Sequence, residues 1–224
     1  MKRPKILLLF NFFILTMYIK SYSQEIISNN PSIWIGYFSE IKLNSKFLLL
    51  SDFQARHIQQ GIDLKEGRTG LAFKLNKKTY LINGIAYFNQ QSFDKDAKIY
   101  NNNNELRLWQ EIKSGFGFNN SFLTNRFRIE ERFFSNSTSA FFRLRHKIEY
   151  VTNVNTKIKL LTSNELLWQF NNETNAWDQN RTSIGIELSI ANNLNAQFIL
   201  MSWWQFSSNT MQPTVRVNLM HIYN

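Results

Sequence analysis

The feature that most constrains this chain is a charge at every second position in segments too long to be ordinary surface strands. In NRFRIEERFF (125–134), Arg126, Arg128, Glu130 and Arg132 alternate with Phe127, Ile129 and Phe133. NELRLWQEIK (104–113) sets Glu105, Arg107, Trp109 and Glu111 against Leu106, Leu108 and Ile112. FFRLRHKIEY (141–150) sets Arg143, Arg145, Lys147 and Glu149 against Phe142, Leu144, Ile148 and Tyr150. RTSIGIELSI (181–190) sets Arg181, Ser183, Gly185, Glu187 and Ser189 against Ile184, Ile186, Leu188 and Ile190. A period of two places the two sets on opposite faces of a strand. The question is which solvent each face meets.

The same pattern recurs along the chain with almost no helical periodicity. Strand-like spans fall at 32–43, 46–58, 67–76, 79–90, 103–115, 120–134, 140–152, 156–170, 180–191, 194–207 and 213–223. Spans of about 12 residues exceed the usual 5–6 of globular proteins and suit the 9–11 tilted residues of a membrane strand with extensions. The connections also alternate. LNSK (43–46), LNKK (75–78), GFGFNN (115–120), TNVNT (152–156) and ANNL (191–194) are short and rich in turn residues. The intervening stretches 59–66, 91–103, 171–179 and 207–212 are longer and more polar, with SNSTS (135–139) a shorter exception.

These observations predict an all-β chain forming a single antiparallel transmembrane β-barrel of about 10–12 strands, with short periplasmic turns and longer extracellular loops. Eleven spans are counted, whereas single-chain bacterial barrels have even numbers. Twelve is therefore expected, with residues 24–31 adding a strand; ten is the alternative. Aromatic residues near strand ends read as interface girdles: Trp34, Tyr80, Phe88, Phe133, Tyr150, Trp168, Phe170, Trp204, Phe206 and Tyr223. Glu131 falls on the apolar side of its strand, so it belongs at the outer rim rather than at mid-bilayer. The competing architecture is a secreted, soluble β-sandwich, which also alternates. Arg and Glu mid-strand on several neighbouring strands favour the barrel.

The N-terminus reads as an address. MKRPK is basic, residues 6–19 are apolar apart from Asn11, Thr16 and Tyr18, and SYSQ supplies small residues for cleavage before Gln24. Residues 1–23 are thus expected to be a signal peptide and 24–224 the barrel. The apolar run is too short to span a bilayer, and no cysteine follows it for lipid attachment. Lys2, Arg3, Lys5 and Lys20 lie in this leader, and without them the net charge falls from +10 to +6. That excess gives no argument for nucleic acid. The chain has no cysteine at all, so disulfides cannot supplement a small core.

The quoted segments, together with SNELLWQF (163–170) and WDQNRTSIGIEL (177–188), follow one another in an order and spacing that resemble an uncharacterised Gram-negative outer-membrane β-barrel family, catalogued as domain of unknown function 2490. The likeness covers nearly all of the chain after the leader, including an early Trp34 and Arg56. It implies an outer-membrane barrel and no particular activity.

If the polar faces point inward, the candidate site is a charge ladder in the lumen. Its members are Glu105, Arg107 and Glu111 on one strand, Arg126, Arg128, Glu130 and Arg132 on the next, and Arg143, Arg145 and Glu149 on the third. Glu165, Arg181 and Glu187 follow, and Arg56, Arg68 and Lys74 join from earlier strands. Three readings are open. Bidentate Arg–carboxylate pairs can stiffen the interior; the lumen can take up a small anionic or amphipathic solute; or the barrel can be a lipid-modifying enzyme. The last needs a nucleophile, base and orienter. His57, His146 and His221 show no such motif. No metal or cofactor is expected, with histidines scattered; Asp94 and Asp96 read as a solvated loop rather than a calcium site. The partners implied are outer-membrane lipids and, in the second reading, the solute. Neither a catalytic nor a metal residue is assigned.

Overall fold

The protein is described by a computed structural model covering residues 26–27, 31–58, 62–94, 99–171 and 175–223. The expected leader at 1–23 and Asp96 lie outside the described residues. Twelve strand elements form one sheet: β1 (Ile26–Ile27), β2 (Ser32–Lys42), β3 (Phe47–Ile58), β4 (Ile62–Asn76), β5 (Thr79–Asp94), β6 (Ile99–Phe118), β7 (Ser121–Phe134), β8 (Phe141–Asn153), β9 (Ile158–Phe170), β10 (Asn175–Ala191), β11 (Leu194–Gln205) and β12 (Thr210–Tyr223). From β2 to β12 each strand pairs antiparallel with the next.

The sheet closes through a parallel ladder between β12 and β2, running from Thr214↔Ser32 to Tyr223↔Ile41. β1 pairs with the same edge of β12 further up, at Ile26↔Thr210 and Ile27↔Met211. β1 and β2 therefore share one position around the barrel, which has eleven staves rather than the expected twelve. The parity problem is solved at the seam. In an odd antiparallel series the first and last strands run the same way, so only a parallel ladder can join them. Closure leaves no unpaired edge.

The short turns follow their sequences. Asn44 Oδ1 accepts from the backbone N–H of Lys46 (2.8 Å) and Phe47 (3.0 Å), Asn76 Oδ1 from Lys78 (2.8 Å), and Asn155 Oδ1 from Lys157 and Ile158 (2.8 and 2.9 Å). Asparagine thereby closes three reversals with its own side chain. Asn119, in the β6–β7 turn, adopts φ 48°, a left-handed conformation that asparagine tolerates. The longer excursions at the opposite end are largely paired hairpin extensions: β5 and β6 stay in register out to Asp94↔Ile99, and β6 reaches 20 residues.

Alternation sorts the side chains as the period of two requires. Outward stand Ile35, Phe53, Ile184 and Leu200, at 60, 68, 60 and 62% exposure, with Phe127, Ile129, Phe133 and Leu144 among many others. Inward stand the charged residues, most of them buried. Glu131 lies outward on β7, paired with Leu108 and Phe142, three residues before the strand ends. Three expected girdle aromatics are instead inside. Trp34 and Phe88 are buried at 2 and 3% exposure, and Tyr80 packs on a luminal cluster of Ala72, Ile82, Ala86, Phe88 and Trp109. Position near a strand end suggests a girdle; the parity of the residue within its strand decides the face.

Candidate functional site

All thirteen residues of the charge ladder take part in ion pairs in the lumen. Eleven of them form one connected network on β6 to β10. At its centre is Glu130, whose side chain is fully buried. Its Oε2 accepts from Arg143 Nε (2.9 Å) and Nη2 (2.6 Å), and its Oε1 from Arg145 Nη1 (2.6 Å). Arg107 and Arg128 approach it at 3.2 and 3.5 Å. One carboxylate thus faces four guanidinium groups.

The network extends by bidentate geometry. Glu105 accepts from Arg107 (2.9 and 2.7 Å) and from Arg132 (2.6 and 3.1 Å), while Arg132 also donates to Gln169. Glu165 accepts from Arg145 (2.9 and 2.7 Å) and from Arg126, and lies 3.8 Å from Arg181. Glu111 accepts from Arg128 at 2.7 Å. The fixed fork of arginine suits such shared, desolvated pairing. Glu149 and Glu187 stand apart, paired with Lys147 and Lys159 respectively. Of the early-strand cations, Arg56 pairs with Glu66 (2.5 Å) and Arg68 with Asp52 (2.9 Å). Lys74 takes no part in an ion pair among the described residues; it lines a smaller recess near the short turns.

The wall made by β2, β3 and β10 to β12 holds its arginines differently. Trp34, absent from the charge ladder, carries Arg56 over its ring at 4.1 Å, Arg216 at 5.2 Å and Arg181 at 5.4 Å. Arg181 also lies 5.3 Å from the Trp203 ring, which meets Trp34 edge-on at 5.6 Å. Arg181 donates to Gln179. Arg216 has no ion-pair partner among the described residues, and its Nε is buried without an acceptor. Sequence reasoning missed Arg216, whose signal was present: it alternates with Val215 and Val217 on the closing strand.

A third device fixes the network from β4 and β5. The Trp109 indole lies in a trough made by two glycines. A Cβ at Gly84 would sit 2.3 Å from Trp109 Cζ2, and one at Gly70 2.7 Å from the same atom. Arg128 stacks over the ring at 4.2 Å.

Between the paired and the stacked walls is a cavity of about 280 Å³. Side-chain exposure along β8 shows which way it opens: 6% at Arg143, 8% at Arg145, 26% at Lys147 and 32% at Glu149. The open end is that of the short turns.

The histidines do not assemble a catalytic group. His57 pairs with Asp63 (2.7 Å) at the exposed rim. His146 faces outward, hydrogen-bonded to Asn125 (2.8 Å) and stacked on Phe127. His221 contacts Tyr37, Tyr223 and Asn193. Among the described residues no cluster of three potential metal ligands occurs.

Comparison with solved structures finds similar barrels. The beta domain of the Bordetella autotransporter BrkA is 10% identical, with a TM-score of 0.48, over 79% of this chain and 82% of that one. OmpT of Vibrio cholerae is 11% identical, with a TM-score of 0.44, over 77% of this chain and 57% of that one. No curated protein matches the sequence. The profile of a family described as "Protein of unknown function (DUF2490)" matches residues 32–214, and the chain belongs to that family.

Proposed function

We propose that the chain is an exported outer-membrane β-barrel whose closed, charged interior serves binding of a small solute rather than wide passage. The supporting observation is its inverted solvation. Leucine, isoleucine and phenylalanine cover the outside while arginine and glutamate fill the inside. Monomeric soluble proteins rarely expose contiguous apolar surface on this scale, whereas a lipid-facing barrel requires it. Closure of the eleven staves also gives each strand a paired neighbour on both sides, as hydrocarbon demands. In this reading the short turns and the C-terminus lie in the periplasm, the longer hairpins outside, and residues 1–23 direct export. The burial of the ion-paired residues around Glu130 supports a binding chamber over an open channel. The reading assigns no catalytic step; among the described residues no histidine is hydrogen-bonded to both a carboxylate and a hydroxyl.

The test is fractionation of the full chain expressed in a Gram-negative host. Recovery in the outer-membrane fraction, with migration on gels that shifts on boiling, is the expected result. Recovery as a soluble periplasmic monomer would sink the reading.

A further inference from the structure

We propose that the cavity beside Trp34 is a binding site for a small organic oxyanion carrying a short apolar arm, entered from the short-turn end. The inference deepens the solute-binding reading above and rests on it.

The first argument is charge. Eight of the side chains lining the cavity are arginine or lysine and only three are glutamate. Two of those three, Glu111 and Glu165, already accept from the paired wall. Glu149 is held by Lys147. On the stacked wall Arg56 is paired with Glu66 and Arg181 lies 3.8 Å from the already shared Glu165, which leaves Arg216 as the cation with no carboxylate partner among the described residues.

The second argument is donor geometry. A guanidinium stacked on an indole keeps its in-plane N–H groups free for an acceptor at its edge. Arg56 donates from Nη2 to Glu66 and Gln54, which leaves its Nε without an acceptor, and Arg181 donates to Gln179. Arg216 donates to none among the described residues, although its Nε is buried. Buried donors are normally satisfied. Three forked donors around Trp34 fit a carboxylate or phosphate monoester, which accepts from several edges at once.

The third argument is shape. The remaining lining includes Phe38, Leu161, Ile199, Met201 and Met220, an apolar strip on the same cavity. A volume of about 280 Å³ lies at the low end of ligand sites, roughly 300–1,000 Å³. The occupant is therefore a small amphipathic anion and not a whole lipid.

Hexyl phosphate is the probe, titrated into the detergent-folded full-length barrel and followed by tryptophan fluorescence and calorimetry. Saturable binding is expected, with weaker binding of inorganic phosphate and none of hexanol. Arg216→Gln should weaken hexyl phosphate by at least about tenfold, the loss of one charged hydrogen bond. Should that variant fail to fold, Arg216→Lys keeps the charge without the fork and should still weaken binding severalfold. Wild-type affinity in the folded variant, equal binding of hexanol, or absence of saturable binding would overturn the site. Equal affinity for inorganic phosphate would overturn the apolar arm. Each sample is first checked for heat-dependent migration, so failure of the site is distinguishable from failure of the barrel reading.

Discussion

Glu130 and Trp34 stand on different walls of one lumen, and each gathers several buried guanidinium groups. Around Glu130 they are held by carboxylate oxygens at 2.6–2.9 Å, with two more arginines at 3.2 and 3.5 Å. Around Trp34 they are held by an aromatic face at 4.1–5.4 Å. The first arrangement uses the N–H donors and fixes geometry on both sides. The second adds the ring quadrupole to fewer polar partners: Arg56 pairs with Glu66 and Arg181 donates to Gln179, while Arg216 has no acceptor among the described residues. A buried pair is sensitive to the loss of either member, whereas a stacked arginine without an acceptor has little of its own bonding to lose. The paired wall therefore depends on each partner, and on the stacked wall it is Arg216 that the proposed ligand would satisfy.

Glu130→Ala should have the largest effect. It removes the one carboxylate that four guanidinium groups share, and a loss of about 3–5 kcal/mol is expected, the usual consequence of removing one partner of a buried pair. Urea unfolding in detergent measures it, and a loss below 1 kcal/mol would refute the structural role of the paired wall. Leu200→Arg tests the insulation both walls depend on. Leu200 is 62% exposed between Ile184 and Val215, so lipid insertion should lose about 2–4 kcal/mol. A soluble protein would tolerate the change, and equal insertion of the variant into vesicles would contradict the membrane reading.

Gly84→Ala probes the trough that holds Trp109 and, through it, Arg128. The new Cβ would meet Thr69 O at 2.6 Å as well as the indole, so about 1–3 kcal/mol of destabilisation is expected from overpacking. A lower thermal midpoint together with altered tryptophan fluorescence would report it. The smallest effect belongs to Arg216→Leu. Replacing an unpaired buried charge with an apolar side chain should change stability by about 0–1 kcal/mol, in the stabilising direction. A marked drop in the urea midpoint would show that Arg216 is held by the wall and not kept for a ligand.

Much of the architecture is legible in the sequence, for a local reason. The backbone of a strand sends successive side chains to opposite faces, so Arg126, Arg128, Glu130 and Arg132 had to share a side once the segment was a strand. The short turns carried their own asparagines, which reverse the chain by bonds within a few residues. Aromatics were harder. Trp34 and Phe133 both lie near strand ends, yet one is luminal and the other faces outward, because girdle position concerns height along the barrel and not the face.

Alternation alone dictates a set of two-faced strands, one face apolar and one charged, which is enough to require an enclosed polar interior. Which carboxylate meets which arginine was decided only by the closed sheet. Arg126 and Glu165 are 39 residues apart and meet because both are in register with Lys147 of β8, which sets them at one height two strands apart on the inner wall. The parallel seam between β12 and β2 is likewise no property of either segment. It follows from joining the two ends of an eleven-stave series, and it brings Arg216 opposite Trp34 in register, beside the cavity proposed to take a ligand.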